Sequence, residues 1–280
     1  MLSWQRVIFS DNSVLSDISV NMDDFEAGIE TLPIVAAQDY LFIGSDLPFN
    51  HRYIVVSTAN DVASTTGIDY WTGSEWKACV DVIDQTAISG KTLAQSGFLR
   101  WSIDTTTGNW GREQNSKDVT GLAGTNIFNL YWIRLKFSVN LKTTTALKFI
   151  GHKFSTDSQL FTHYPDLNRS ALMTSFKAGK TNWDDQEFMA ARFIINDLKA
   201  RGVILSANQI LDYDTFMEPS IHRTAMTIFA GLGEAYKEHV AAALKAYDKS
   251  MEKINFNTDV DGDAVLSDTD KSYSLRFMSR

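Results

Sequence analysis

The stretch DVDGDAVLSDTD, residues 259–270, spaces its carboxylates as a calcium-binding loop does. Such a loop takes oxygen ligands at positions 1, 3, 5 and 12, with glycine at 6 and an apolar residue at 8. Counting from Asp259, the further ligands fall on Asp261, Asp263 and Asp270, and the apolar position on Leu266. Position 6 is Ala264, whose Cβ resists the positive φ of that bend. Asp270 is one methylene shorter than the usual glutamate, so bidentate capture is harder. Two readings stand: calcium held by Asp259, Asp261, Asp263 and Asp270, or an acidic turn between a helix and the C-terminal tail. The lost glycine favours the turn, and no other cofactor is expected.

The remaining reactive side chains are scattered. His51, His152, His163, His222 and His239 form no HExxH pair, and the chain holds no GxSxG, GxxxxGK[ST] or GxGxxG. Carboxylates gather in NMDDFEAGIE (21–30) and DVIDQT (81–86), but a pair serves as acid and base only where environment separates its pKa values. A glycosidase needs no sequence proximity between its two carboxylates, so that chemistry stays formally open. The expectation is a protein that is not an enzyme. Cys79 is the single cysteine, which rules out an intrachain disulfide or a cysteine-based zinc site and suits a cytosolic folding environment.

Aromatic residues offer the other chemistry. In DYWTGSEW (69–76), Trp71 and Trp76 flank a Thr-Gly-Ser turn. Exposed together, they would make a sugar platform; opposed across a hairpin, they would pack on each other. Packing is the favoured reading, ahead of a subunit interface or sugar binding.

The elements that must position these residues divide into two kinds. Six of the seven tryptophans precede residue 133. There the chain reads as short strands: YLFIG (40–44), YIVVST (53–58), GIDYW (67–71), WKACVDV (76–82), FLRWSI (98–103), LYWIRLKF (130–137) and LKFIG (147–151). In WKACVDV, Trp76, Ala78, Val80 and Val82 share a face; in LYWIRLKF, Tyr131, Ile133, Leu135 and Phe137 do, opposite Trp132, Arg134 and Lys136. From residue 180 the period becomes helical. DDQEFMAARFIINDLKARG (184–202) has its apolar stripe at Phe188, Ala191, Ile194, Ile195 and Leu198, with Asn182 to cap it and Gly202 to stop it. A short helix is expected near SANQIL (206–211), another from Pro219 to about Gly231, and a long one over 234–254. The long helix should pack through Tyr236, Val240, Ala243, Leu244, Tyr247 and Met251. The tail alternates again at Tyr273, Leu275 and Phe277.

The expected class is therefore α+β: an N-terminal antiparallel β-sandwich (1–165), then a C-terminal α-helical bundle with an extended tail (166–280). The 280 residues carry 44% hydrophobic and 21% charged side chains, a globular composition. No apolar run reaches membrane-spanning length, and MLSWQRVIFSDNS is too polar for a secretory leader. The net charge of −8 argues against tight wrapping of nucleic acid, yet a like-charged wall lets DNA slide past without sticking.

The helical half, through KTNWDDQEFMAARFIINDLKARGVI (180–204), MEPSIHRTAMTIFAGLG and the close NTDVDGDAVLSDTDKSYSLRFMSR, resembles the head–tail connector (adaptor) proteins of tailed bacteriophages. The front half, through YLFIGSDLPFN, the YWTGSEW hairpin with its following DQT, and YWIRLKF, is similar to β-sandwich modules of phage virion proteins. The resemblance implies a structural protein of the virion neck, made in the host cytoplasm and docked as a ring of twelve copies beneath the portal protein. It would contact tail or neck proteins and extend the channel for double-stranded DNA. It also implies that Tyr273, Leu275, Arg276, Phe277 and Arg280 meet the portal or a neighbouring subunit, by strand addition or otherwise; pairing of this strand within its own chain is the equal alternative. A baseplate or fibre-attachment protein is the second reading, and a carbohydrate-binding β-sandwich module the third.

Overall fold

The computed structural model describes residues 5–114, 118–125, 129–265, 267 and 270–275. Antiparallel sheets occupy the N-terminal part and helices the C-terminal part. The chain divides into two compact units: residues 1–151 with 261–267, and residues 152–260 with 268–280. The expected division at 165/166 thus falls inside the second unit. The reason is packing: Leu160 and Leu167 are buried in the core of the helices, together with Trp183, Ile221 and Ile228.

The first unit contains β1 (Gln5–Asp11), β2 (Val14–Asp17), the short helix α1 (Ser19–Asp23), β3 (Glu30–Thr31), β4 (Tyr40–Ser45), β5 (His51–Thr58), β6 (Thr66–Trp71), β7 (Trp76–Ala78), β8 (Val80–Asp84), β9 (Gly97–Ser102), β10 (Tyr131–Phe137) and β11 (Ala146–Gly151). One sheet runs β2-β1-β4-β10-β6-β7 and the other β3-β11-β5-β9-β8. Register aligns Val7 with Ile43, Ile43 with Ile133 and Ile133 with Tyr70, so one row of buried side chains crosses four strands. That row joins Ile54, Leu99, Trp101, Leu147 and Ile150 of the other sheet in a single core. The alternation read in LYWIRLKF is therefore what buries Ile133, Leu135 and Phe137.

WKACVDV is not one strand. It changes sheets at Cys79: β7 pairs with β6, whereas β8 pairs with β9. A register shift follows Val80, and Asp81 takes φ 51°. Ala78 and Val80 are both exposed and Trp76 is half-buried, so the expected shared face is not a buried one. A bulge re-aims the strand, and a uniform period of two does not survive it.

The second unit contains α2 (Asp157–His163), α3 (Ser170–Phe176), α4 (Asp184–Ala200), α5 (Met217–Gly231), α6 (Lys237–Glu252), and a hairpin of β12 (Asn255–Thr258) and β13 (Lys271–Ser274). All five apolar positions expected in α4 are buried. Asn182 Oδ1 accepts from the Asp184 amide at 3.3 Å, although Trp183 occupies the cap position. Gly202, at φ 69°, ends the helix; the Gly202 and Val203 amides donate to Lys199 and Leu198, a Schellman stop. The SANQIL helix is a 3-10 turn at Ala207–Gln209, and α5 starts two residues before Pro219. The long helix begins as a 3-10 turn, Glu234–Tyr236, before α6. Its face is shifted: Ala243, Tyr247, Ser250 and Met251 are buried, Tyr236 and Val240 pack against the core, and Leu244 is exposed. At about 100° per residue, Leu244 lies off a stripe centred between Ala243 and Tyr247. No helix among the described residues is long and apolar enough to cross a membrane.

Candidate functional site

The acidic turn starts where β12 ends. The Asp259 amide donates to Gln209 O at 3.1 Å, and Gln209 Nε2 donates to Asp259 O at 2.9 Å, which anchors the entry. Carboxylate oxygens of Asp259, Asp261 and Asp263 converge within 4.8 Å of one another. Ala264 does take the bend that its Cβ disfavours, at φ 60°, and Gly262 is at φ 77°. Asp263 Oδ1 accepts from the Val265 amide at 2.7 Å, and Asp270 Oδ1 from the Val260 amide at 3.1 Å. Three expected ligands are thus brought together, while one oxygen of the fourth bonds the backbone. Leu266 lies outside the described residues. Three convergent carboxylate oxygens have the chemistry to ligate a hard divalent cation.

The aromatic residues of the first unit are placed differently. Trp71 sits directly opposite Trp76, and both belong to a second cluster with Ile8, Phe42 and Trp132. Val119, Leu122 and Leu130 cover that cluster, tied down by Trp76 Nε1 donating to Thr120 O at 2.8 Å and the Gly111 amide donating to Trp71 O at 2.9 Å. Gly44 makes room for the Trp132 indole, whose ring a Cβ there would meet at 2.8 Å. Alongside, buried Asp69 binds Arg134 Nη2 at 2.8 Å and Lys136 Nζ at 2.6 Å. Arg134 lies over the rings of Tyr40, at 4.8 Å, and Trp76, at 4.9 Å. A guanidinium of the chain itself therefore stacks on aromatic faces that a sugar would need.

Histidines serve packing in both units. Burial, reinforced by Arg52 and Arg100, holds His51 down to about 3, neutral at ordinary pH. His222 Nδ1 and the Tyr164 hydroxyl are 2.8 Å apart, and burial lowers the His222 pKa. Cys79 is half-buried, and burial followed by the nearby Asp69 raises its thiol pKa, which makes it a poor nucleophile.

A charged cluster at the start of α4 escaped the sequence. Lys153, 1% exposed, places Nζ 2.5 Å from Asp184 Oδ1 and 2.5 Å from Glu187 Oε2; Glu187 is fully buried. Glu187 Oε1 has no hydrogen-bond partner among the described residues. Asp157, at the start of α2, accepts from the Trp183 amide at 3.0 Å, and Trp183 Nε1 donates to Leu167 O at 2.9 Å. Burial pushes Glu187 up to about 8; burial and the Asp184 charge push Asp157 up to about 6. The acids in DDQE read as ordinary first-turn residues of a helix, and they are that. What sequence withheld is the cation of Asp184 and Glu187, Lys153, which lies 31 residues before Asp184; Asp185 pairs instead with the nearby Lys180.

The expected interface residues of the tail are divided. Tyr273 faces Phe256 across the β12–β13 hairpin, with ring centroids 6.2 Å apart. Leu275 is 1% exposed, and its amide donates to Ile254 O at 3.1 Å. The described strand of the tail pairs within its own chain, and Leu275 is buried there. Arg276, Phe277 and Arg280 lie outside the described residues.

No protein-family model matches the chain, and no curated protein matches it. A solved structure titled CpGH89CBM32-6, produced by Clostridium perfringens, aligns with 54% of this chain and 94% of its own at 13% identity and a TM-score of 0.27. A likeness that remote carries no argument about this protein.

Proposed function

We propose that this chain is a structural connector of a tailed-phage neck, without enzymatic activity. In this reading the two sheets are the layers of a sandwich and the helices form a bundle. Copies assemble as a twelve-membered ring under the portal protein, in the virion, between capsid and tail. The observation that supports it best is a set of exposed apolar side chains in the helical unit. Met189 and Phe193 lie one turn apart on α4 and are exposed, as are Leu244 on α6 and Leu205, 86% exposed in the turn after α4. Apolar side chains turned to solvent suit contacts between copies or with a ring-shaped partner. The net charge of −8 suits a channel that DNA crosses without adhering.

The test mixes purified protein with purified portal rings and counts copies per ring by electron microscopy. A fixed stoichiometry is expected, and Phe193→Lys with Leu205→Lys should reduce ring occupancy while leaving the circular dichroism spectrum intact. Absence of association at every salt concentration tried would discard the proposal.

A further inference from the structure

We propose that Lys153 and Asp184 become joined by an intramolecular amide bond, with the buried Glu187 carboxyl as proton carrier. Three features of the cluster carry this. The Lys153 amine and the Asp184 carboxyl are already in contact at 2.5 Å, and Lys153 is 1% exposed. Glu187 touches the same nitrogen at 2.5 Å with one oxygen, while Oε1 makes no hydrogen bond among the described residues. That second oxygen can hand a proton on. The surroundings are partly apolar: Lys153 Nζ is 5.7 Å from the Phe188 ring centre and neighbouring Phe154 is buried, while the Asp157 carboxyl stands near enough to favour a neutral Glu187 further.

These features bear on the two obstacles to amide formation. An amine must be uncharged to attack, and burial disfavours separated charges, so proton transfer from Lys153 to a carboxylate becomes cheaper than in water. Burial also keeps Glu187 protonated up to about pH 8. Water must not reverse the reaction, and two groups held in contact have effective molarities on the order of 10⁵ M or more. In the step, neutral Lys153 Nζ attacks Asp184 Cγ. A C–N bond forms, and the bond from Cγ to the hydroxyl oxygen breaks. Glu187 donates its proton to the leaving oxygen and takes one from the nitrogen. One amine and one carboxylic acid enter; one amide and one water leave, with no change of oxidation state.

The product would be a covalent tie between the segment that opens the second unit and the first turn of α4. A virion part that bears mechanical load gains from such a tie, but the inference does not depend on that role.

The experiment is intact mass spectrometry of the full-length wild-type protein after incubation at neutral pH and denaturation. The expected mass is one water below the sequence mass. A protease digest should contain a branched peptide joining the Lys153 and Asp184 segments. Lys153→Arg and Glu187→Gln should each restore the full sequence mass. Succinimide formation at Asp261–Gly262 also removes one water, but it leaves no branched peptide; that result overturns the proposal. So does a wild-type mass equal to the sequence mass, which is decisive even if a variant fails to fold.

Discussion

Trp71 and Trp76 face each other across the β6–β7 hairpin with ring centroids 5.3 Å apart, edge to face. Trp71 is buried, and Trp76 remains half-exposed with Arg134 over its ring. The pair holds the hairpin to the segment that covers it. It does not present two open faces to a ligand.

Truncating the inner ring should therefore cost stability. Trp71→Ala is expected to destabilise the protein by about 3–5 kcal/mol, the usual range for emptying an aromatic core site. Trp76→Ala should cost clearly less, because its ring is already partly in water. Equilibrium urea unfolding of the two variants gives the comparison. Equal losses would mean that the covering segment, and not the inner ring, dominates.

His51 predicts acid sensitivity. Its folded value of about 3 lies below the ordinary 6.5, because burial and the arginines disfavour the imidazolium. Between those values the unfolded chain binds the extra proton, so stability rises with pH there. The contribution is fully present above about pH 6.5 and is lost as pH falls towards 3. The urea midpoint of the wild type should drop across that window, and His51→Gln should flatten the slope. An unchanged slope in the variant would assign the acid sensitivity to other groups.

Ala264 predicts a stabilising substitution. A non-glycine residue at φ 60° carries a steric penalty that glycine escapes. Ala264→Gly should stabilise the protein by about 1 kcal/mol, net of the greater freedom of glycine in the unfolded chain. Thermal melts of the two proteins in the same buffer test it. A lower midpoint for the variant would show that the buried Ala264 methyl contributes more by packing than the bend costs.

The sequence by itself determined the order of strands before helices, most strand positions, and the apolar stripe of α4. Side-chain alternation and helical periodicity are local, so they survive without knowledge of distant partners. It also placed Asp259, Asp261 and Asp263 together in one acidic turn, because residues two apart in a tight turn need no remote segment to meet, although it favoured the turn over a calcium loop. It missed β1, whose segment reads only as too polar for a secretory leader, yet which lies between β2 and β4. Only the tertiary structure decided that WKACVDV splits between two sheets, that Leu244 faces solvent, and that Leu275 is buried in its own chain. Only the tertiary structure brought Lys153 to Asp184 and Glu187. Each of these depends on which surface a segment meets after the chain has turned back on itself. Burial of a charge is a property of that meeting, and residue spacing carries no record of it.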